Sequence, residues 1–150
     1  MPKPMPTTTP HDTTAYEVSD DPARLDVALI HHWLSTDAYW ALGRPLATQQ
    51  RAIAASHNFG AYLTASGRQV GYARVITDHA TFAWLCDVYI DPAHRGRGLG
   101  GRLVDAVNAY LDPYELRRTM LATHDAHEVY RRAGFRELTR PDHLMQRGPH

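Results

Sequence analysis

The stretch that most restricts what this chain can fold into is residues 82–104, FAWLCDVYIDPAHRGRGLGGRLV. Residues 82–90 predict a strand, apolar on both faces apart from Asp87 and therefore central in its sheet. Asp91-Pro92 stops it, and a basic, glycine-rich loop runs from Arg95 to Gly101 into an amphipathic helix whose stripe is Leu99, Leu103, Val104, Val107 and Leu111. The first N–H groups of a helix lack intrahelical partners and carry the positive end of its dipole, so a glycine loop entering a helix makes an anion site. Arg95, Arg97 and Arg102 add full charges that suit phosphate oxygens. A phosphate-bearing ligand is the first expectation.

Three loop patterns compete for this segment. A Walker loop requires a Gly-Lys-Ser/Thr ending, and no such lysine is present. Gly96, Gly98 and Gly101 spell G-x-G-x-x-G, but that fingerprint belongs to the first unit of a long parallel sheet, and here only the last third of the chain remains. The third pattern, Arg/Gln-x-x-Gly-x-Gly/Ala, is met by Arg95, Gly98 and Gly100. With DVYIDPAHRGRGLG, the later run AHEVYRRAGF and their separation, the chain resembles the GCN5-related N-acetyltransferase (GNAT) family over roughly residues 15–147.

Composition narrows the alternatives. One hundred and fifty residues, 43% hydrophobic, make one domain with a real core. Sixteen basic and sixteen acidic residues cancel, so no overall field argues for nucleic acid or a membrane surface. The lone Cys86 excludes an internal disulfide, no apolar run reaches the ~20 residues of a membrane span, and no signal-peptide core is evident. A cytoplasmic location is the expectation. Oligomeric state is not legible; a homodimer is one option.

Along the chain, residues 1–13 are Pro- and Thr-rich and read as a flexible tail before a domain at 14–150. Residues 15–18 predict a first strand, Asp21-Pro22 the start of a helix through Leu25, Leu29 and Trp33, and Thr48 the cap of a second helix. Residues 59–65 and 70–77 predict a hairpin about Ser66-Gly67, residues 119–123 a fifth strand, and residues 126–133 a last helix ending at Gly134. Residues 135–138 and 143–147 would close the sheet. The fold class is α/β: a mixed, mostly antiparallel sheet flanked by about four helices, in one domain.

The resemblance implies acetyl-CoA as cosubstrate and direct attack by an amine in a ternary complex. It places pantetheine along the backbone of Val88, Tyr89 and Ile90, and the pyrophosphate on Arg95, Gly96, Arg97, Gly98, Leu99, Gly100 and Gly101. Thr123 stands where the family often has a pantetheine-binding Asn. Tyr130 sits at the family's general-acid tyrosine; a phenol with a pKa near 10 is protonated at neutral pH and able to protonate a departing thiolate. A core tyrosine is the other explanation. By alternation Asp87 shares a face with Leu85 and Tyr89, where desolvation would raise its pKa and favour a base role; the competing view is an Asp paired with a neighbouring Arg. Tyr39 and Trp40 are expected to line the acceptor site. His124, Asp125 and His127 form too short a run to predict a metal, and none is expected. A small-molecule amine is the expected acceptor, with a protein N-acetyltransferase or a non-catalytic acyl-CoA sensor as alternatives.

Overall fold

The computed structural model describes residues 15–149; the expected tail at 1–13 lies outside them. Five strands form one sheet in the order β1 (Tyr16–Ser19), β2 (His57–Leu63), β3 (Gln69–Thr77), β4 (Phe82–Ile90), β5 (Arg118–Leu121). The first four pair antiparallel; β4 and β5 run parallel. Helices α1 (Val27–Asp37) and α2 (Leu46–Ala54) join β1 to β2, α3 (Leu99–Leu111) crosses from β4 to β5, and α4 (His127–Arg132) follows β5. The expected mixed, mostly antiparallel sheet with four helices is the fold observed.

The two faces of the sheet carry separate cores. The α3 stripe, Leu99, Leu103, Val104, Val107 and Leu111, is buried against Phe59, Ala61, Val70, Ala73, Val75, Ala83 and Leu85. Gly71 permits this close approach, since a Cβ there would lie 3.3 Å from Leu103 Cδ1 and 3.0 Å from Ile90 Cδ1. On the opposite face Ile30, Trp33 and Leu34 of α1 pack on Tyr72 and Tyr89.

Several boundaries differ from expectation. Asp21 caps only a 3₁₀ turn at Pro22–Arg24; α1 starts after Asp26, whose carboxylate accepts from Leu29 N at 3.1 Å. The second helix starts at Leu46 behind Pro45, two residues before Thr48. The closing strands at 135–138 and 143–147 do not form. Apart from half-buried Phe135 these segments are exposed, so they bury no apolar face, and Pro141 between them opens a 3₁₀ turn at Pro141–His143. No helix among the described residues is long and apolar enough to cross a membrane.

Candidate active site

Strands β4 and β5 pair only from Phe82↔Arg118 to Leu85↔Leu121. Beyond Leu85 they part, and no described strand lies beside residues 86–90 on that edge. A cavity of about 730 Å³ occupies the wedge, within the usual range for small-ligand sites. Residues 84–90 form one wall, and residues 122–126 with Tyr130 the other; Tyr39, Trp40 and Arg44 reach in from the α1–α2 connection. A smaller, mainly apolar cavity of about 410 Å³ adjoins it between β5, α4 and residues 135–138, and Thr123 and Tyr130 line both.

At the C-terminal end of β4, Asp91 accepts from Ala93 N at 3.0 Å and steadies a 3₁₀ turn at Pro92–His94. The chain then reaches Gly96 and Gly98, both left-handed at φ 76° and 77°. Gly98 is the N-cap of α3, with no side chain capping the first turn. A Cβ built at Gly96, Gly98 or Gly101 meets nothing within 4 Å, so the loop presents bare backbone to open space. The expected anion-site residues are thus brought together, with one divergence. Arg95 folds back: its Nε donates to Ile90 O at 2.9 Å, its guanidinium lies 5.1 Å from the Tyr89 ring centre, and Nη2 reaches Asp37 Oδ2 at 3.4 Å.

Val88 and Ile90 lean on the α3 core, while Tyr89 turns to the other face, stacks near Trp33 and donates its hydroxyl to Asp37 at 2.5 Å. Strict alternation fails just before them, at Cys86-Asp87. Tyr72 pairs with Tyr89 but Arg74 with Cys86, so β4 holds one extra residue there, and Asp87 takes φ 55°. This bulge removes Asp87 from the Leu85 face, where the sequence pattern had placed it. Leu85 enters the α3 core; Asp87, 3% exposed, faces the α1–α2 side with Tyr89.

There it is fully engaged. Trp40 Nε1 donates to Oδ1 at 2.9 Å, Arg44 Nη1 to Oδ2 at 2.8 Å and Nη2 to Oδ1 at 3.3 Å, and Arg74 Nε to Oδ2 at 2.9 Å. These four donors fill roughly the four lone-pair sites of a carboxylate. Burial pushes the Asp87 pKa up, but the Arg44 and Arg74 guanidiniums and the Trp40 indole outweigh it and hold the carboxyl below its ordinary value. The upward shift expected from the sequence is therefore reversed. Sequence pattern alone does not join Arg44 and Arg74 to this site; the one local signal is Arg74 between Ala73 and Val75 in the strand QVGYARVIT.

Across the wedge, Tyr130 is half-buried on α4 and packs edge-on against Phe135 at 6.0 Å between ring centres. Desolvation, helped by Tyr39 and Asp125, pushes its pKa up to about 12, so the phenol stays protonated. Tyr39 meets Trp40 at 5.0 Å and His124 at 4.9 Å, closing a bridge over the cavity. Thr123 directs its hydroxyl to the chain itself, accepting from Ala126 N at 3.0 Å at the entry to α4. Among the described residues no group of three or more His, Cys, Asp or Glu is placed to hold a metal.

A mixed sheet whose parallel pair opens beside a glycine-rich helix entry is acetyltransferase architecture, and the chain belongs to the acetyltransferase (GNAT) family, whose model matches residues 27–135. It is 37% identical over 133 residues to a Gibberella zeae protein that carries an acetyltransferase name, covering 77% of this chain and 75% of that one. A crystal structure from Xanthomonas campestris, described as belonging to the GNAT family, is 51% identical with a TM-score of 0.83, covering 89% and 92% of the two chains. Rv2747 of Mycobacterium tuberculosis, solved in complex with CoA, is 25% identical with a TM-score of 0.68, covering 81% and 72%.

Proposed function

We propose that the protein is an acetyl-CoA-dependent N-acetyltransferase that passes the acetyl group directly to the amine of a small molecule. The observation that carries this reading is the β4–β5 wedge. It offers a strand edge to an extended, amide-bearing chain and ends at a bare, uncapped helix entry suited to a diphosphate. The residues present fit that donor: residues 88–90 along the strand edge, and Gly96, Arg97, Gly98, Leu99, Gly100 and Gly101 at the helix entry. Arg95 serves this site from the other side, fixing the end of β4 against Asp37 and Tyr89.

The bound thioester supplies the activated acetyl carbon. Tyr130 gives its phenolic proton to the departing sulfur, and its raised pKa keeps that proton available across the neutral range. Asp87 acts as a positioning residue that holds Trp40 and Arg44 over the cavity, because its oxygens are already occupied by donors; the proton of the amine leaves to water. Tyr39 and Trp40, 52% and 42% exposed, provide an aromatic wall for the acceptor. A cavity roofed this way favours a small amine over a protein chain.

Thiol release from acetyl-CoA, measured across a panel of small amines and lysine or N-terminal peptides, tests the assignment. Turnover is expected with small amines. Preference for peptides makes it a protein acetyltransferase. Thermal stabilisation by acetyl-CoA without turnover of any amine makes it a sensor.

A further inference from the structure

Two guanidiniums share one carboxylate at the inner end of the cavity. Arg44 and Arg74 both pair with Asp87, and the three side chains are 18%, 11% and 1% exposed. Their other partners are neutral: Gln49 Oε1 accepts from Arg44 at 2.9 Å, and Ser56 Oγ from Arg74 at 3.1 Å. The groups packed directly on the two arginines supply no second anion; Asp125 lines the far wall of the cavity, beside Tyr130. The Cys86 thiol is pushed by burial to about 11, and the Tyr72 phenol is pushed up as well while its hydroxyl donates to Asn58. At the rim Asp37 is taken by Arg95 and Tyr89. The buried cluster therefore carries one positive charge in excess, in a setting where an unbalanced charge is costly.

We propose that an anionic group on the acceptor supplies the missing charge, so that the acceptor is an amine bearing a carboxylate that docks on Arg44 and Arg74. Both arginines line the same cavity as Tyr130. Arg74 uses Nε on Asp87 and Nη1 on Ser56, which leaves its Nη2 group to donate a charge-assisted hydrogen bond to an incoming carboxylate oxygen. Asp125, on the β5–α4 loop beside Tyr130, gives the ammonium end of such a molecule an attractive counter-charge where the acetyl group is to be received. An acceptor negative at one end and cationic at the other fits the charges of the cavity at both positions.

This inference rests on the transferase reading of the cavity, and its test reads binding rather than turnover. Protein is first titrated with CoA by calorimetry; failure at this step counts against the donor site. The CoA-loaded protein is then titrated with α- and ω-amino acids of two to six carbons, each beside its carboxamide. The best acids are expected to bind about tenfold or more tightly than their amides. Arg44→Gln, which leaves Arg74 and Asp87 as a balanced pair, should reduce that ratio to near one, and Arg44→Lys should keep part of it. CoA binding by each variant reports that it is folded; should Arg44→Gln not fold, the wild-type ratio decides. Amides binding as well as acids, no acid binding at millimolar concentration, or a ratio unchanged in folded Arg44→Gln would each overturn the proposal.

Discussion

The two faces of the sheet are built on opposite principles although they share β3 and β4. Against α3 the contacts are aliphatic and aromatic, and the helix stripe repeats every third or fourth residue. Against the α1–α2 side an apolar patch around Trp33 adjoins a buried charge cluster, with Asp87 held by Arg44, Arg74 and Trp40. An apolar face loses free energy smoothly as atoms are removed. A charged cluster fails abruptly, because removing one partner strands the others. The bulge at Asp87 turns Leu85 and Tyr89, which strict alternation would put on one face, to different cores.

Asp87→Asn breaks the charged face and should have the largest effect. The amide brings donors where Arg44 and Arg74 also donate, with an expected loss of about 3–5 kcal/mol, or roughly 10 °C in Tm for a chain this size. The pH dependence adds a sign. Because the folded pKa of Asp87 lies below its unfolded value of about 3.9, its contribution is present above that value and is lost as pH falls through the folded one. Wild type should therefore lose more stability below about pH 4 than Asp87→Asn does, the remaining acid loss belonging to other carboxylates with lowered pKa such as Asp37 and Asp78. A variant melting within about 2 °C of wild type at pH 7 would show that the cluster contributes little, since that shift corresponds to under 1 kcal/mol.

Leu103→Ala is the matched break on the apolar face. Leu103 is fully buried over Gly71, and its truncation should cost about 3 kcal/mol. That loss should be the same at pH 4 and pH 7 and at low and high salt, as measured by urea denaturation. A salt-dependent loss would mean the two faces are not energetically distinct.

The same contrast explains what was legible in the sequence. The α3 stripe, the strand at 82–90 and the glycine loop follow from periodicity and backbone chemistry, which are local, and they appear at the expected residues. Asp87 was misplaced because alternation assumes an unbroken pleat, and a bulge depends on the partner strand. Arg44 and Arg74 stand thirty residues apart and meet only through the sheet, so no window of sequence holds both. The closing strands failed for a tertiary reason as well: apart from Phe135, residues 135–138 and 143–147 stay exposed and bury no face.

Tyr130→Phe sharpens the comparison by touching chemistry without touching either core's packing. Loss of the phenolic proton should lower kcat about a hundredfold, in the range for general acid catalysis, with CoA affinity and Tm near wild type. Wild type should show no basic limb from this group until pH approaches its folded pKa of about 12. Unchanged kcat would return Tyr130 to a packing role beside Phe135.

Thr123→Ala should give the smallest change and tests a contact the family pattern suggests. The hydroxyl accepts from Ala126 N at 3.0 Å, so its removal should cost about 1 kcal/mol of stability and leave the Kd for CoA within about twofold, less than 0.5 kcal/mol. Calorimetry with CoA and a thermal melt on the same sample separate the two quantities. A tenfold weaker Kd with an unchanged Tm would mean that the hydroxyl leaves the chain for the donor, and that the entry to α4 rearranges when the wedge is filled. Thr123 lines both cavities, so that outcome would also place pantetheine at the boundary between them.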